Sequence, residues 1–550
     1  MTVSARIAQV FPTLTPAQIA RIEIHGRKRA VARDEVLYEF GAVSVPFIVV
    51  VKGKVGILQP GDGVEKLIRA LDPGQFTGEI NMLSGRRALA RARVLEPGEV
   101  IEVERDRLLL LVQTDSELSE ILMRAFILRR VELMDQGLGD VVVVGSQYCA
   151  GTLRVKEFLG RNAHPYSYLD LEHDADVQQL LDRFHVSEAD IPVLICRGEL
   201  VLKNPTNEQI ADCLGFNESI DSAHVRDVLV IGAGPSGLAA AVFAASEGLD
   251  VLVMESNVPG GQAGASSKIE NFFGFPTGIS GQALTGRAYA QAQKFGAQVM
   301  VASGAYKLAR NRKPYAIESK SGQRVEARTV VIASGAEYRK PPIANLSRFE
   351  GAGVYYAATF MEAQLCRGEE VIVIGGGNSA GQAAVYLAQT VERVYLLVRG
   401  EGLAETMSRY LIRRIETNPK IELLAHTELT ALEGSNHLER AQWRNKQTGE
   451  AETCDIRHVF ILAGADPSTS WLDGCIALDS KGFIKTGVDL SEEDLREAEW
   501  PLGRRPLLLE TSLPGVFAVG DVRAGNVKRV ASAVGEGSIS IAFVHQVLSE

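Results

Sequence analysis

Two kinds of hydrophobic pattern follow one another along the chain. Within residues 1–135, short apolar runs such as 47–51 and 100–103 are separated by glycine-containing turns, which predicts short β-strands. Apolar residues then recur at helical spacing over 116–130, which predicts a helix that closes this region. After residue 140, strand-like runs alternate with helix-compatible stretches, an order typical of α/β domains. The pattern predicts a multidomain chain: a small β-barrel plus helices, followed by α/β domains.

Two glycine-rich turns mark the α/β part of the chain. They are GAGPSG at 232–237 and GGGNSA at 375–380, and each follows a strand-like run and opens a helix-compatible stretch. Such turns bring backbone N–H groups to the pyrophosphate of a dinucleotide. After the first turn, Glu255 stands where a carboxylate accepts from ribose hydroxyls; after the second, Arg399 stands where a cation accommodates a 2′-phosphate. The tandem predicts a flavin paired with a nicotinamide nucleotide, with NADPH favoured over NADH.

Composition and charge exclude several classes of function. The 550 residues are enough for about three or four domains, and 46% hydrophobic with 23% charged residues is typical of a soluble globular chain. A net charge of −10 without a basic stripe argues against nucleic-acid binding. The uncharged run 228–246 contains the first glycine turn, which argues against a membrane span. With no signal-peptide layout at the N-terminus, we expect a cytoplasmic protein.

The cysteines are few and scattered. None of the six forms a CxxC pair, which predicts neither a disulfide framework nor a metal site and fits a reducing compartment. Cys196 and Cys213 lie in apolar patterns and are predicted core residues.

The first 135 residues resemble the cyclic-nucleotide-binding domain. The resemblance rests on GQFTGEINMLSGRRALA at 74–90, which stands at that family's phosphate-binding cassette. It implies that Glu79 takes the ribose 2′-hydroxyl and that a later arginine takes the cyclic phosphate. Without a gap, Ala88 occupies the arginine's place, so Arg86 or Arg87 would substitute only through a shorter loop. The region either binds a small effector, with Gly78, Glu79, Arg86 and Arg87 as candidate contacts, or is a degenerate barrel used for packing or dimer contacts.

Residues 140–216 resemble a glutaredoxin or thioredoxin fold. Cys149-Ala-Gly-Thr152 stands where those proteins carry CxxC at a helix start, and Ile191-Pro192 stands where they have a cis-proline facing the thiol. Because a helix N-terminus favours the thiolate, Cys149 is a candidate catalytic nucleophile. Thr152 replaces the second cysteine, so redox chemistry at Cys149 would need glutathione, a partner thiol or a distant cysteine. The alternative is a fold kept for docking.

The remaining residues, from about 226 onward, resemble thioredoxin reductase. Besides the two glycine turns, the resemblance rests on GGQ at 260–262, ENFFGFP at 270–276 and GVFAVGDV at 515–522. It implies two Rossmann-like α/β nucleotide-binding domains in a homodimer that binds FAD and a nicotinamide nucleotide.

The same resemblance implies the domain boundaries and the contacts. A FAD-binding unit in two parts, 226–340 and 468–550, encloses an NAD(P)H-binding unit at 341–467. The family's basic residues are reduced to Arg399, with Arg409, Arg413 and Arg414 on a following helix, so NADH stays an alternative to NADPH. The implied NADPH contacts are Gly375, Gly377, Asn378, Ser379, Ala380 and Arg399. The implied FAD contacts are Gly232, Gly234, Pro235, Ser236, Gly237, Glu255, Gly261, Gln262, Asn271, Gly520, Asp521, Arg529, Val530 and Ala531.

The resemblance breaks at the family's redox dithiol. Thioredoxin reductases carry a CxxC pair shortly before the second glycine turn, whereas this chain has Ala357 and Phe360 at those positions. A flavin without a thiolate beside it takes a hydride from NADPH but cannot complete the usual exchange with a thioredoxin disulfide. Cys366 lies nearby, but it is single and its surroundings are helix-like.

Three functions are compatible with these features. The first is a FAD-dependent NAD(P)H oxidoreductase with the barrel as a regulatory module; its acceptor is unidentified, and candidates are a thiol protein or glutathione reached through Cys149. The second is a ligand-sensing or scaffold flavoprotein in which FAD is structural. The third is a ferredoxin-type or quinone-type reductase, which fold-level analogy alone supports.

Overall fold

The computed structural model describes residues 9–59, 65–135, 141–147, 149–171, 187, 190–197, 200–309, 313–472 and 474–550. An antiparallel N-terminal sheet with helices precedes a small mixed sheet and two larger sheets with parallel strands. This order confirms the predicted multidomain chain with an N-terminal barrel and two Rossmann-type α/β units, while the exact boundaries stay predictions. No helix within the described ranges combines the length and the apolar character that crossing a bilayer requires.

The barrel unit, residues 9–135, is an antiparallel sheet covered by helices. Strands β3 and β5 pair along most of their length, with β1, β2 and β4 at the sides. Phe47, Phe76 and Phe126 meet in the core, with ring centroids 5.5–6.3 Å apart. The elements are α1 (Pro16–Glu23), β1 (Arg27–Val31), β2 (Val36–Tyr38), β3 (Phe47–Gln59), β4 (Lys66–Leu71), α2 (Asn81–Ser84), β5 (Arg91–Val103), α3 (Arg105–Thr114) and α4 (Ser116–Asp135).

The middle unit, residues 141–216, has a four-stranded sheet in the order β7-β6-β8-β9. Strands β6 and β7 are parallel, whereas β8 and β9 run antiparallel to their neighbours. The peptide bond between Ile191 and Pro192 is cis, as expected from the sequence. The elements are β6 (Val141–Gly145), α5 (Ala150–Arg161), β7 (Ser167–Asp170), β8 (Val193–Cys196), β9 (Leu200–Lys203) and α6 (Asn207–Leu214).

The first Rossmann unit, residues 225–332 and 468–550, centres on the parallel strands β12-β11-β10-β15-β26, with β14 and β13 antiparallel beyond β15. Helices α7 and α15 pack together on the sheet. The elements are β10 (Val225–Ile231), α7 (Pro235–Ser246), β11 (Val251–Met254), α8 (Gly261–Gly264), α9 (Gly281–Lys294), β12 (Gln298–Met300), β13 (Ala305–Ala309), β14 (Tyr315–Ser319), β15 (Arg324–Ile332), and, after the second Rossmann unit, α14 (Glu492–Glu497), β26 (Val516–Ala518) and α15 (Val530–Ser549).

The second Rossmann unit, residues 343–463, is inserted between β15 and β26. Two short antiparallel strands join the units, and the parallel sheet has the order β17-β24-β18-β19-β20. The elements are β16 (Ala336–Tyr338), α10 (Leu346–Phe349), β17 (Val354–Tyr355), α11 (Phe360–Leu365), β18 (Glu370–Ile374), α12 (Asn378–Leu387), β19 (Arg393–Leu397), α13 (Arg409–Glu416), β20 (Ile421–Leu424), β21 (Thr427–Glu433), β22 (Arg440–Asn445), β23 (Ala451–Cys454), β24 (His458–Ile461) and β25 (Ala465–Pro467), of which β16 and β25 are the joining strands.

Candidate functional site

The first glycine turn, 232–237, connects the carboxyl end of β10 to α7. Gly232 has a φ of 103°, and a Cβ at Gly237 would overlap the carbonyl oxygen of Gly232, so both positions require glycine. Gly234 caps α7 without a side-chain hydrogen bond, and a Cβ there would have only Gly261 Cα, at 4.0 Å, as a neighbour. The first N–H groups of α7 are therefore open to an anionic group.

Two other predicted contacts meet this turn. Glu255 follows β11, is 7% exposed and accepts hydrogen bonds from the N–H groups of Ala233 (2.6 Å) and Asn257 (2.9 Å). Burial raises the pKa of Glu255, although these two N–H groups oppose the shift. Gly520 follows β26 and lies so close that a Cβ on it would overlap Ser236 Oγ. Parallel strands that end at one edge thus bring residues almost 300 positions apart to the same turn.

The C-terminal motif is held by Glu536 of α15. Its carboxylate accepts from Gly520 N at 2.7 Å and pairs with Arg523 at 2.6 Å. Asp521 is largely buried, and burial raises its pKa. The start of α15 stays at least partly accessible, and the predicted contacts there are Arg529, Val530 and Ala531.

Two predicted contacts lie at the margin of the site. Gln262 is exposed and donates from Nε2 to the carbonyl oxygen of Ala336 at 2.5 Å. Asn271 is exposed, and its neighbour Glu270 forms an ion pair with Arg414 of the second Rossmann unit. Glu270 is thus a link between the two units, and the role of Asn271 as a FAD contact stays a prediction.

The second glycine turn repeats the geometry of the first. Gly375 has a φ of 141°, and a Cβ on it would lie 2.6 Å from the carbonyl oxygen of Leu462. Gly377 caps α12 without a side-chain hydrogen bond, and a Cβ there would meet nothing within 4 Å. Asn378 Oδ1 accepts from Ser408 N at 2.7 Å, which fixes the first residue of α12. The helix N-terminus is again open.

The remaining predicted contacts of the second turn differ in burial. Ser379 hydrogen-bonds Tyr338 of β16, the strand that joins the units. Ala380 is buried in the core of the second Rossmann unit. Among the basic candidates, Arg414 is committed to its ion pair with Glu270. All four candidates, Arg399, Arg409, Arg413 and Arg414, are exposed.

The loop that lacks the dithiol ends at the start of α11. Thr359 caps this helix, Glu362 accepts hydrogen bonds from the Thr359 N–H and hydroxyl, and burial raises the pKa of Glu362. Phe360 is 69% exposed. Cys366 is fully buried, and burial raises the pKa of its thiol, which disfavours the reactive thiolate. Cys366 is thus a packing residue rather than a substitute for the missing pair.

The middle unit contacts this same loop. Leu153 of α5 packs in one cluster with Tyr355 and Ala358, and a Cβ at Gly351 would lie 2.6 Å from Ala150 Cβ. Cys149 is the N-cap residue of α5 and is half-buried, so its backbone lies next to this contact. The first turn of α5 therefore covers the part of the second Rossmann unit where the family dithiol would stand.

The cis-proline lies against the same helix start. A Cβ at Gly151 would be 2.7 Å from Pro192 Cδ. Thr152, at the place of the second cysteine, is fully buried, and its hydroxyl has no hydrogen-bond partner among the described residues. The resemblance of the middle unit to a thioredoxin fold stays a prediction.

The barrel cassette brings three of the four predicted effector contacts, Gly78, Glu79 and Arg86, to the wall of the barrel cavity. Glu79 accepts from Asn81 N at 3.1 Å and lies 3.6 Å from Arg130. Arg86 donates to the Tyr289 hydroxyl at 2.9 Å, and its guanidinium lies 4.4 Å from the centre of the Phe216 ring. Arg86 also lines the barrel cavity, so its role as an effector contact stays a prediction, although the interface with the other units already engages its guanidinium.

Arg87, the second candidate, also has protein partners. Its Nη1 donates to the carbonyl oxygen of Gly41 at 3.4 Å. Its Nε packs so close to Gly215 that a Cβ added to that glycine would lie only 2.7 Å from it. Arg87 thus faces the middle unit and not Glu79. Gly78 has a φ of 103° and lines the barrel cavity.

Sequence reasoning missed the residues that connect the units to the first turn. Arg161, the last residue of α5, donates to the carbonyl oxygen of Gly261 at 2.6 Å. Helix α9 reaches the same loop, since a Cβ on Gly260 would lie 2.6 Å from Thr285 Oγ1. No motif marks such residues, because each is an ordinary helix position whose partner is about 100 positions away or on a neighbouring element.

Comparison with known proteins places these units. Residues 226–537 match the family model of pyridine nucleotide-disulphide oxidoreductases, and residues 28–115 match the cyclic nucleotide-binding domain. The chain is 31% identical over 330 residues to a thioredoxin reductase of Mycolicibacterium smegmatis, covering 60% of this chain and 98% of that protein. It is 29% identical over 327 residues to a thioredoxin reductase of Bacillus subtilis (strain 168), covering 59% and 96%. Among solved structures, Lactococcus lactis thioredoxin reductase (FR conformation) is 25% identical with a TM-score of 0.52, covering 59% and 99%.

Proposed function

The chain belongs to the pyridine nucleotide-disulphide oxidoreductase family. We propose that it is a flavoprotein that takes a hydride from NADPH. It then reduces its acceptor without the help of a dithiol in the second Rossmann unit. The family's thioredoxin reductases use FAD and NADPH. The observation that carries the proposal is the pair of glycine turns, each open at a helix N-terminus, beside a loop with Ala357 and Phe360 in place of cysteines.

The first turn fits FAD. The α7 N-terminus offers backbone N–H groups to the pyrophosphate, Glu255 offers carboxylate oxygens to ribose, and Asp521 and the start of α15 border the same edge of the sheet. Glycine at 234 leaves room for the phosphates, since a Cβ there meets no atom closer than 4.0 Å. Bound FAD would supply hydride acceptance and onward electron transfer.

The second turn fits a nicotinamide nucleotide in the same manner. Gly377 leaves open space in front of α12, and exposed Arg399 follows β19 where a 2′-phosphate is recognised. We assign NADPH as the donor, with Arg409 and Arg413 adding positive charge nearby. Arg414 is excluded from this role because it is paired with Glu270.

The acceptor differs from that of a dithiol-bearing thioredoxin reductase. Residues 357 and 360 are alanine and phenylalanine rather than cysteines, and the start of α5 covers the neighbouring loop. We therefore propose that electrons leave either directly to a small acceptor or through Cys149, which borders that contact, and that the middle unit is a thioredoxin-like module docked on its own reductase.

The barrel is proposed as the regulatory module of this reductase. Two of its hydrogen bonds reach α9: Arg86 hydrogen-bonds Tyr289, and Gln113 donates to the carbonyl oxygen of Lys294 at 3.0 Å. The other half of α9 carries Thr285, which lies against the Gly260 loop of the FAD site. One rigid helix therefore connects the barrel to the proposed cofactor pocket.

Anaerobic mixing of the FAD-loaded protein with NADPH tests the proposal. The flavin absorbance band should bleach, and it should recover when a quinone or glutathione disulfide is added. A C149S variant separates the two exits: loss of glutathione disulfide reduction with quinone reduction intact assigns the thiol route. A flavin that NADPH leaves unbleached contradicts the reductase proposal and favours a structural FAD.

A further inference from the structure

The barrel unit encloses a cavity of about 100 Å³ between the sheet, α2 and α4. Most of its wall is apolar, with Ile57, Phe76, Met82 and Leu89 among the lining residues. Ala88 and Leu89 occupy the stretch where a cyclic nucleotide's phosphate would be held. The charged side chains that line the cavity are Arg69, Glu79, Arg86, Arg129 and Glu132. Arg86 is already engaged by Tyr289 and Phe216, which leaves Arg129 and Arg69 as the positive charges to consider.

The first charge is Arg129 of α4, which is 7% exposed. Its Nε donates to Val10 O at 2.9 Å, and Nη1 donates to Phe76 O at 3.0 Å and Gly78 O at 2.8 Å. Its guanidinium lies 4.8 Å from the centre of the Phe11 ring. These contacts fix the guanidinium in place, yet Nη2 is buried and has no hydrogen-bond partner among the described residues.

The second charge is Arg69 of β4, which lines the same cavity. Its guanidinium lies 4.7 Å from the centre of the Phe11 ring, which Arg129 also contacts, and its Nε is buried without a partner in the described part of the chain. Burial lowers the pKa of Arg129 to about 10, and the charge of Arg69 acts in the same direction. Buried charges are normally paired, and a buried donor without an acceptor is unfavourable.

We propose that the barrel cavity binds a small carboxylate with an apolar body, held by Arg129 Nη2 and Arg69 Nε. Unsatisfied N–H donors on two guanidinium groups that line the same cavity favour an anionic oxygen ligand such as a carboxylate, and the apolar wall matches an aromatic or short aliphatic body. This names the ligand class of the regulatory module and rests on the proposed function only for an effect on turnover. Binding itself is independent of it.

Calorimetry on the full FAD-loaded protein with sodium benzoate, sodium hexanoate and cyclic AMP as probes tests the site. We expect one of the carboxylates to bind more tightly than cyclic AMP and R69Q to weaken that binding about tenfold or more, the loss of one charge-assisted hydrogen bond. R124Q, an exposed arginine on α4, is the matched control and should bind as the parent does. Arg129 is left unchanged in this test because its three backbone hydrogen bonds hold the fold.

Two results overturn the proposal: neither carboxylate binds at millimolar concentration, or R69Q binds the carboxylate as tightly as the parent. Bleaching of the flavin by NADPH in every variant shows that the reductase is intact, so a failure of the carboxylate site is distinguished from a failure of the proposed reductase.

A second inference rests on a different observation. In the middle unit, Cys196 Sγ of β8 and Cys213 Sγ of α6 lie 2.6 Å apart. Cys196 is fully buried and Cys213 is half-buried, so one thiol is accessible and the other is held beside it. The prediction that both are core residues holds for Cys196, which belongs to the unit's core cluster, but it missed their proximity. Spacing alone gives no sign of it, since 17 positions separate them.

We infer that Cys196 and Cys213 form a reversible disulfide under peroxide. Hydrogen peroxide oxidises the Cys213 thiolate to a sulfenic acid with release of water, and the Cys196 thiol then displaces a second water as the S–S bond forms. The peroxide is reduced, and two thiols lose two electrons and two protons. The bond would tie α6 to the sheet next to Phe216, the residue on which Arg86 stacks.

Intact-mass and peptide mapping of the full protein after hydrogen peroxide treatment tests this pair. We expect a peptide cross-linked between Cys196 and Cys213 that dithiothreitol separates by reducing the disulfide. C213S should abolish this cross-link. C475S, which replaces a half-buried cysteine of the first Rossmann unit, should leave it unchanged. Peroxide that gives only sulfinic or sulfonic acid at Cys213, or leaves both thiols intact, contradicts the inference.

Discussion

The two glycine turns have nearly the same backbone but different surroundings. Around the first, Glu255 binds the turn itself, Gly520 touches Ser236, and Arg161 of the middle unit fastens the Gly261 loop. Around the second, Gly377 faces open space and the basic residues after β19 are exposed. A turn enclosed from several elements suits a resident cofactor, and an open turn suits a nucleotide that exchanges in every cycle. The glycines are alike, and the neighbours separate the two roles.

The largest expected effect comes from exchanging the last residue of the two turns. In G237A the new Cβ would overlap the carbonyl oxygen of Gly232, so the turn has to open. We expect loss of bound FAD and destabilisation of about 3 kcal/mol. The reciprocal A380G variant removes one buried methyl group and should cost only about 1 kcal/mol, with FAD retained. The flavin-to-protein absorbance ratio and urea unfolding measure both. If G237A keeps its full flavin content and unfolds at the same urea concentration as the parent, the first turn is not enclosed.

The next effect concerns only the nucleotide that exchanges. In G377A the Cβ meets no protein atom within 4 Å, so the fold and the bound FAD should be unchanged. The methyl group would occupy the space of close phosphate approach, and we expect the KM for NADPH to rise about tenfold, equivalent to about 1.4 kcal/mol of binding energy. G286A, another glycine with open space around it, is the control. An unchanged KM would argue that phosphates do not approach Gly377.

The sequence was sufficient wherever chemistry depends on local backbone. The strands and helices around both turns, the glycines at 232, 237 and 375 and the cis bond before Pro192 follow from short patterns, because turn geometry is decided by neighbouring residues. The two-part first Rossmann unit followed from a resemblance that spans most of residues 226–550.

Contacts between units could not be read in the same way. The hydrogen bond between Arg86 and Tyr289 was missed because 203 positions separate the two residues. Arg69 and Arg129 looked like ordinary charged positions in a strand and a helix, and only packing reveals that both face one cavity. Pair contacts across units depend on how whole surfaces meet, which residue spacing does not record.

A smaller effect sharpens the assignment of the exchanging nucleotide. Arg399 is exposed, so R399A should leave folding and flavin content unchanged. The preference for NADPH over NADH, measured as the ratio of kcat/KM, should fall about tenfold because one charge-assisted contact to the 2′-phosphate is lost. R440A, an exposed arginine paired with Glu433 on another sheet, is the control. A preference that R399A leaves intact would move the recognition to Arg409 or Arg413.

The smallest effect compares the buried carboxylates of the two units. Burial raises the pKa of both Glu255 and Glu362, so each is harder to ionise in the folded chain than in the unfolded one. Below the ordinary value of 4.5, both states are neutral and folding carries no penalty. As pH rises through and above that value, the unfolded chain releases its proton first and the folded state loses stability.

E362Q removes that titration without emptying the helix cap, since a glutamine oxygen still accepts from Thr359 N. Relative to the parent chain, E362Q should therefore gain about 1 kcal/mol of unfolding free energy between about pH 4 and about pH 7. Urea unfolding at the two pH values measures the difference, with the exposed E416Q as control. In E255Q the same gain should appear in protein stripped of flavin and be offset in FAD-loaded protein, because there the carboxylate is expected to bind ribose. An equal gain in both forms of E255Q would mean that Glu255, like Glu362, only organises its own turn.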